Sequence, residues 1–124
     1  MKQFNIYVED KLGELARVTE ALAKSAVNIR GLATDKLGRK PAIKVITDDE
    51  ASTKRALLGA GFDFEESEVV VIDLIDRPGE IAKISRKMAR DGMNISSVFL
   101  IGKKDNPASL ALVTQDLKNV KKLV

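Results

Sequence analysis

This 124-residue chain has no cysteine and no histidine. The first absence excludes disulfides and thiolate metal sites. The second removes the usual neutral-pH general base and the commonest nitrogen ligand for metals. Tryptophan is missing too, and aromatics make up only 4% of the residues, so the core must be built from Ile, Val, Leu and Ala. No apolar run approaches the roughly 20 residues that a membrane-spanning helix needs. Neither charge dominates: 21 Lys and Arg against 18 Asp and Glu give 21 − 18 = +3. Met1–Phe62 holds 11 basic and 8 acidic residues and Asp63–Val124 holds 10 of each, with no run of like charge. Such a balance is a weak argument for nucleic acid. Also lacking are a phosphate-binding Gly-x-x-x-x-Gly-Lys-Ser/Thr loop, a Gly-x-Ser-x-Gly elbow and clustered metal ligands. No catalytic residue, metal or cofactor is therefore expected. The opening "MKQFNIYVED" enters an alternating pattern with no apolar leader, which makes the cytoplasm the expected location.

What the chain does have is a repetition. "VEDKLGELARVTEALAKSAVNI" (Val8 to Ile29) returns as "LIDRPGEIAKISRKMARDGMNI" (Leu74 to Ile95). Asp10 aligns with Asp76, an offset of 76 − 10 = 66, and the same offset pairs Gly13 with Gly79, Glu14 with Glu80, Asn28 with Asn94 and Ile29 with Ile95. Two units follow, 1–66 and 67–124.

Each unit opens with alternation: Phe4, Ile6 and Val8 in the first, Val70, Ile72 and Leu74 in the second. That is a strand with one buried face. The period then changes to a helix, with Leu15, Val18 and Leu22, or Ile81, Ile84 and Met88, on the inner side. Pro78 suits the first helical position, Glu80 the positive end of the first turn, and Gly92 the stop. A strand–turn–strand pair comes next, turning at Lys36–Lys40 and at Gly102–Asn106. A second helix, opened by Asp49 or Asp116, carries Ala51, Leu57 and Leu58 in one unit and Leu117, Val120 and Val124 in the other. "FDFEESEVVVIDL" closes the first unit with a strand and opens the second.

The predicted class is therefore α+β: two tandem ferredoxin-like βαββαβ units, the second lacking its last strand, with antiparallel sheets and helices on one face. The edge that the missing strand leaves favours association, and at least a homodimer is expected.

Fold alone decides nothing about function. An RNA-recognition module needs stacking aromatics on its central strands, but "PAIKVIT" and "PASLALVT" have none. The acidic tetrad Asp63, Glu65, Glu66 and Glu68 alternates over both faces of a strand and reads as a solvated edge rather than a metal site. The repeated stretch remains. Asp-x-Leu/Pro-Gly-Glu-Leu/Ile-Ala followed by Asn-Ile resembles the ACT domain family, the small-molecule sensors of amino-acid metabolism. The likeness covers both units, and the second carries the fuller motif. It implies a non-catalytic regulatory or sensor protein that binds a free amino acid or similar small carboxylate at ACT–ACT interfaces. The loop of one domain and the Asn-bearing strand of a neighbour would form the pocket together. Carried over, Asp10, Gly13, Asp76, Arg77 and Gly79 line the loop side and Asn28, Ile29, Asn94 and Ile95 the other.

The chemistry of those residues suits that role. A helix start offers unpaired N–H groups and partial positive charge to a carboxylate. Gly13 and Gly79 allow close approach to the backbone. Asn28 and Asn94 bring donors and an acceptor. Each residue also has a purely structural alternative. The glycines permit the strand-to-helix turn, the asparagines stop a helix in a left-handed conformation, and the aspartates bond nearby helix amides. Arg77 is solvated, and Ile29 and Ile95 belong to the core. Two other functions stay open: a silent regulatory subunit of an amino-acid biosynthetic enzyme, and a weak nucleic-acid binder. No membrane partner is expected.

Overall fold

Strand β1 (Lys2–Tyr7) places Phe4 and Ile6 inward, both fully buried, as its alternation predicts. The computed structural model describes residues 1–36, 40–101 and 109–114. The chain divides into two units, Met1–Ser67 and Glu68–Val124.

In the first unit β1 is followed by helix α1 (Glu14–Lys24), strands β2 (Ile29–Asp35) and β3 (Ala42–Thr47), helix α2 (Glu50–Gly59) and strand β4 (Asp63–Glu68). The four strands lie in the order β2-β3-β1-β4. β3 runs antiparallel to both neighbours, with Phe4 opposite Val45 and Ile6 opposite Ile43. These four residues, with Val8, Val18, Leu22, Val27, Leu57 and Phe62, form one apolar cluster between sheet and helices. Burying each large aliphatic or aromatic side chain contributes about 1.5–3 kcal/mol.

The second unit repeats the order with β5 (Val70–Asp73), α3 (Glu80–Arg90), β6 (Ile95–Ile101) and β7 (Ser109–Thr114). Its strands lie β5-β7-β6, the counterpart of β1-β3-β2. Ile72, Leu74, Met88, Met93, Leu110 and Leu112 make its core. The repetition reaches the backbone detail: the pairing register shifts between Ile29 and Gly31 in one unit and between Ile95 and Ser97 in the other. The plan is the expected mixed α+β ferredoxin-like one, and among the described residues the second unit has three strands and no fourth. The expected turn Gly102–Asn106 and the helix of Asp116, Leu117, Val120 and Val124 lie outside the described residues, as do 37–39 of the first turn. Among the described residues no helix is long and apolar enough to cross a membrane.

The three helices among the described residues all end the same way. The N–H of a left-handed residue (Ala26, Gly61 or Gly92) bonds the carbonyl of Ala23, Leu58 or Ala89. The next N–H, of Val27, Phe62 or Met93, reaches back to Leu22, Leu57 or Met88. This is the Schellman arrangement, which satisfies the last carbonyls and turns an apolar residue into the core. Asp49 caps α2 as expected, its carboxylate accepting from the Ser52 N–H at 3.0 Å.

Several expected positions differ. Leu15 is 44% exposed and Ile81 42%, whereas Glu14 is only 5% exposed. The inward row is Glu14, Val18, Leu22, spaced by four, so a residue one step along points about 100° away. Pro78 sits outside α3, because Gly79 is the N-cap and the helix begins at Glu80. On α2 the buried residues are Thr53 and Leu57, while Leu58 is exposed. The Thr53 hydroxyl is bonded to that of Thr47 at 2.7 Å and donates to the Asp49 carbonyl at 2.7 Å, which makes its burial tolerable.

Candidate functional site

Both units turn from strand to helix through the same loop. Gly13 and Gly79 are the N-caps, with φ of 88° and 89°. That left-handed backbone is one that a residue with a Cβ adopts only under strain. The N–H of Lys11 bonds the Glu9 carbonyl, and that of Arg77 the Ile75 carbonyl. Neither helix has a side chain capping its first turn, so the positive end of each is left to its surroundings.

The side chains around the two loops are wired differently. In the first unit the Glu14 carboxylate accepts from the Glu9 N–H at 3.1 Å and from Arg17 at 3.1 and 3.2 Å. The Arg17 guanidinium holds the Glu14 carboxyl below its ordinary range; the bond from Glu9 adds to this, and burial opposes it. Asp10 pairs with Lys36 at 2.8 Å and Lys11 with Glu9 at 3.1 Å. The charges of this loop are largely engaged with one another. Arg17 also lies over the Phe62 ring, 4.2 Å from its centre.

In the second unit Arg77 pairs with Glu80 at 2.6 Å, and Asp76 is exposed with no ion-pair partner among the described residues. Asp76, Arg77 and Glu80 line a hollow of about 150 Å³ together with Leu74, Ile75, Ile81 and Leu100. A second hollow of about 530 Å³ shares Ile81 and Leu100 with it and is floored by Met88, Met93, Ile95 and Leu110.

Of the nine expected residues, Asp76 and Arg77 meet in one hollow and Ile95 lines the adjoining one. Gly79 is the N-cap beside them. Asn94 precedes β6 and is exposed, and its carbonyl accepts from Thr114 at 2.8 Å. In the first unit Gly13 caps α1, Asn28 is exposed, and Ile29 packs against the core. A polar hollow of about 410 Å³ on that unit runs past Tyr7, Lys11, Arg17, Lys40 and Asp63 and includes none of the nine. The asparagines are not the left-handed stops, since Ala26 and Gly92 hold that conformation two residues earlier. The acidic tetrad lies on β4 with all four residues exposed, and Glu66 pairs with Lys2 at 3.7 Å and Lys54 at 3.4 Å. Among the described residues no group of acidic side chains could hold a metal ion. Sequence reading missed Ile81, Val98 and Leu100 as lining residues. The signal was present where the repeats part: Thr34 stands at 100 − 66 = 34, opposite Leu100 in the alignment.

Comparison with known proteins bears on the fold and the family. The family of ACT domain pairs matches residues 1–122. A protein of known structure from Bacteroides thetaiotaomicron is 25% identical with a TM-score of 0.86, over 98% of this chain and 84% of that one. The regulatory subunit of aspartate kinase from Thermus thermophilus is 18% identical, TM-score 0.68, over 98% and 86%. Aspartate kinase from Clostridium acetobutylicum is 8% identical, TM-score 0.65, over 99% of this chain and 30% of that enzyme. No curated protein matches. The chain belongs to the ACT domain family, as a pair of such domains, and that membership supports a regulatory, ligand-binding role.

Proposed function

We propose that this pair of ACT domains, 1–66 and 67–124, is a cytoplasmic sensor that binds a free amino acid or similar small carboxylate and carries out no reaction itself. The observation that carries this reading is the second loop. There an uncapped helix start, the exposed Asp76 and the cation Arg77 stand at one hollow. A carboxylate suits the helix start and Arg77, and an ammonium suits Asp76. Asn94, at the head of β6, has donors and an acceptor for the ligand of a neighbouring ACT domain in a second copy of the chain. A homodimer completes the pocket in that way.

A second reading takes its form from the regulatory subunit of aspartate kinase: the chain docks on a separate biosynthetic enzyme and passes the ligand signal to it. Both readings require binding first. Thermal shift against the twenty amino acids tests it, because a compound at one hundred times its dissociation constant adds about 2.7 kcal/mol to stability. A melting curve unmoved by all twenty at millimolar levels removes the sensing reading.

A further inference from the structure

We infer that the second unit selects a small carboxylate bearing a sizeable apolar side chain, with Ile81, Val98 and Leu100 as the residues that choose it; this rests on the reading that the unit binds a small carboxylate at all. The loop hollow and the larger hollow share Ile81 and Leu100, so they form one continuous surface with a polar end and an apolar end. The polar end has Asp76 and Arg77. The apolar end has a buried floor of Met88, Met93 and Leu110.

Its rim is apolar yet wet: Ile81 is 42% exposed, Val98 53% and Leu100 62%. Val98 and Leu100 stand opposite Leu112 and Leu110 in the register, on the face that holds the core. They face the helix side of the sheet but lie on β6, an outer strand of the three, beyond the cover of α3. Three large apolar groups around one hollow gain by being covered. An occupant with a charged head at Asp76 and Arg77 and an apolar body over the methionines satisfies both ends. A glycine or serine leaves the rim wet, and an aspartate or lysine side chain brings charge onto it without a partner. The hollow of about 530 Å³ lies within the range of roughly 300–1,000 Å³ usual for small-molecule sites. A floor with two methionines adapts its shape, so the preference is for a class, leucine to phenylalanine, rather than one outline.

The first unit keeps an exposed apolar residue at two of the three rim positions, Leu15 and Leu32, and differs at the third and in the floor. Subtracting the offset of 66 puts Leu22, Val27 and Thr34 where the second has Met88, Met93 and Leu100. Its floor is stiffer and its rim partly polar, so the selective site is the second one.

Isothermal titration of the full chain with glycine, serine, aspartate, leucine and phenylalanine tests the inference, repeated on Leu100→Thr and Ile81→Ser. Both changes fall on exposed positions, and melting curves report folding of each variant. Leucine and phenylalanine are expected to bind at least roughly tenfold tighter than the other three, and each variant is expected to remove most of that margin. Tighter binding of serine or aspartate overturns the inference and leaves carboxylate binding standing. No binding by any of the five, with none of the twenty shifting the melting curve, overturns both. Unchanged leucine and phenylalanine affinity in both variants, with a lower mass by light scattering, overturns it by assigning the rim to a contact between copies.

Discussion

Arg77 Nε lies 2.6 Å from Glu80 Oε1, a cation on the loop holding the first acidic residue of α3. The corresponding glutamate of the first unit, Glu14, takes its cation from the helix instead, Arg17 at 3.1 Å. The residue at Arg77's place there, Lys11, turns to Glu9. The same motif therefore yields one loop tied down by its own charges and one whose cation stands beside the exposed Asp76.

From this follows the first expected outcome. The Arg77–Glu80 pair is largely exposed on the arginine side, so Arg77→Ala should change stability by less than about 1 kcal/mol. Affinity for an amino acid should fall about fivefold to tenfold, the scale of one charge-assisted hydrogen bond. Paired urea denaturation and calorimetry separate the two; a large stability loss with unchanged affinity would assign Arg77 to the fold.

Glu14 makes the first unit sensitive to acid. Its carboxyl titrates below its ordinary value of 4.5 when folded. The stabilisation is then fully present above that value and fades as pH falls through the lower folded one. Glu14→Gln should lower stability near neutrality and flatten the acid limb of the stability curve. Denaturation midpoints at about pH 6 and about pH 3 decide it: the difference between them should shrink in the variant. An equal or larger difference would show that the carboxylate is not held by Arg17.

The helix ends offer a reciprocal pair. Ala26 holds the left-handed turn with φ of 54°, where the second unit has Gly92 at 66°. Ala26→Gly is expected to stabilise by roughly 0.5–1 kcal/mol and Gly92→Ala to destabilise by about 1 kcal/mol. A Cβ at Gly92 would meet nothing within 4 Å, so the second effect is backbone strain and not a clash. Thermal midpoints moving the same way in both variants would contradict this account.

Thr47 and Thr53, both buried, share a hydroxyl hydrogen bond of 2.7 Å. Thr53→Val leaves the Thr47 hydroxyl only its longer contact to the Asp49 carbonyl, at 3.4 Å, and should cost about 1–3 kcal/mol. The double variant with Thr47→Val should recover part of that loss, and a denaturant cycle reading simple additivity would rule out the coupling.

How far the sequence discloses all this depends on whether a feature is local. The offset of 66 carries the order of strands and helices, because periodicity is a local property of the chain. Asp49 and Gly92 were legible for the same reason: a cap and a stop need only their own few residues. Leu15 was misread because a stripe counted from apolar residues alone skips Glu14, whose inward position depends on the Glu9 N–H across a loop. Leu100 was missed because alternation does not say which face of an outer strand a helix fails to cover. Asp10 and Asp76 look identical in the motif; the pairing of Asp10 comes from Lys36, far along the chain, and Asp76 has no such partner among the described residues.

The central claim is that the second loop and the start of β6 hold a small carboxylate. Backbone amide NMR during titration with leucine tests it most directly. The account predicts saturable shifts clustered at Asp76, Arg77, Gly79, Asn94 and Ile95. Uniformly flat spectra up to millimolar leucine and every other amino acid, or shifts confined to β4 and α2, would contradict it.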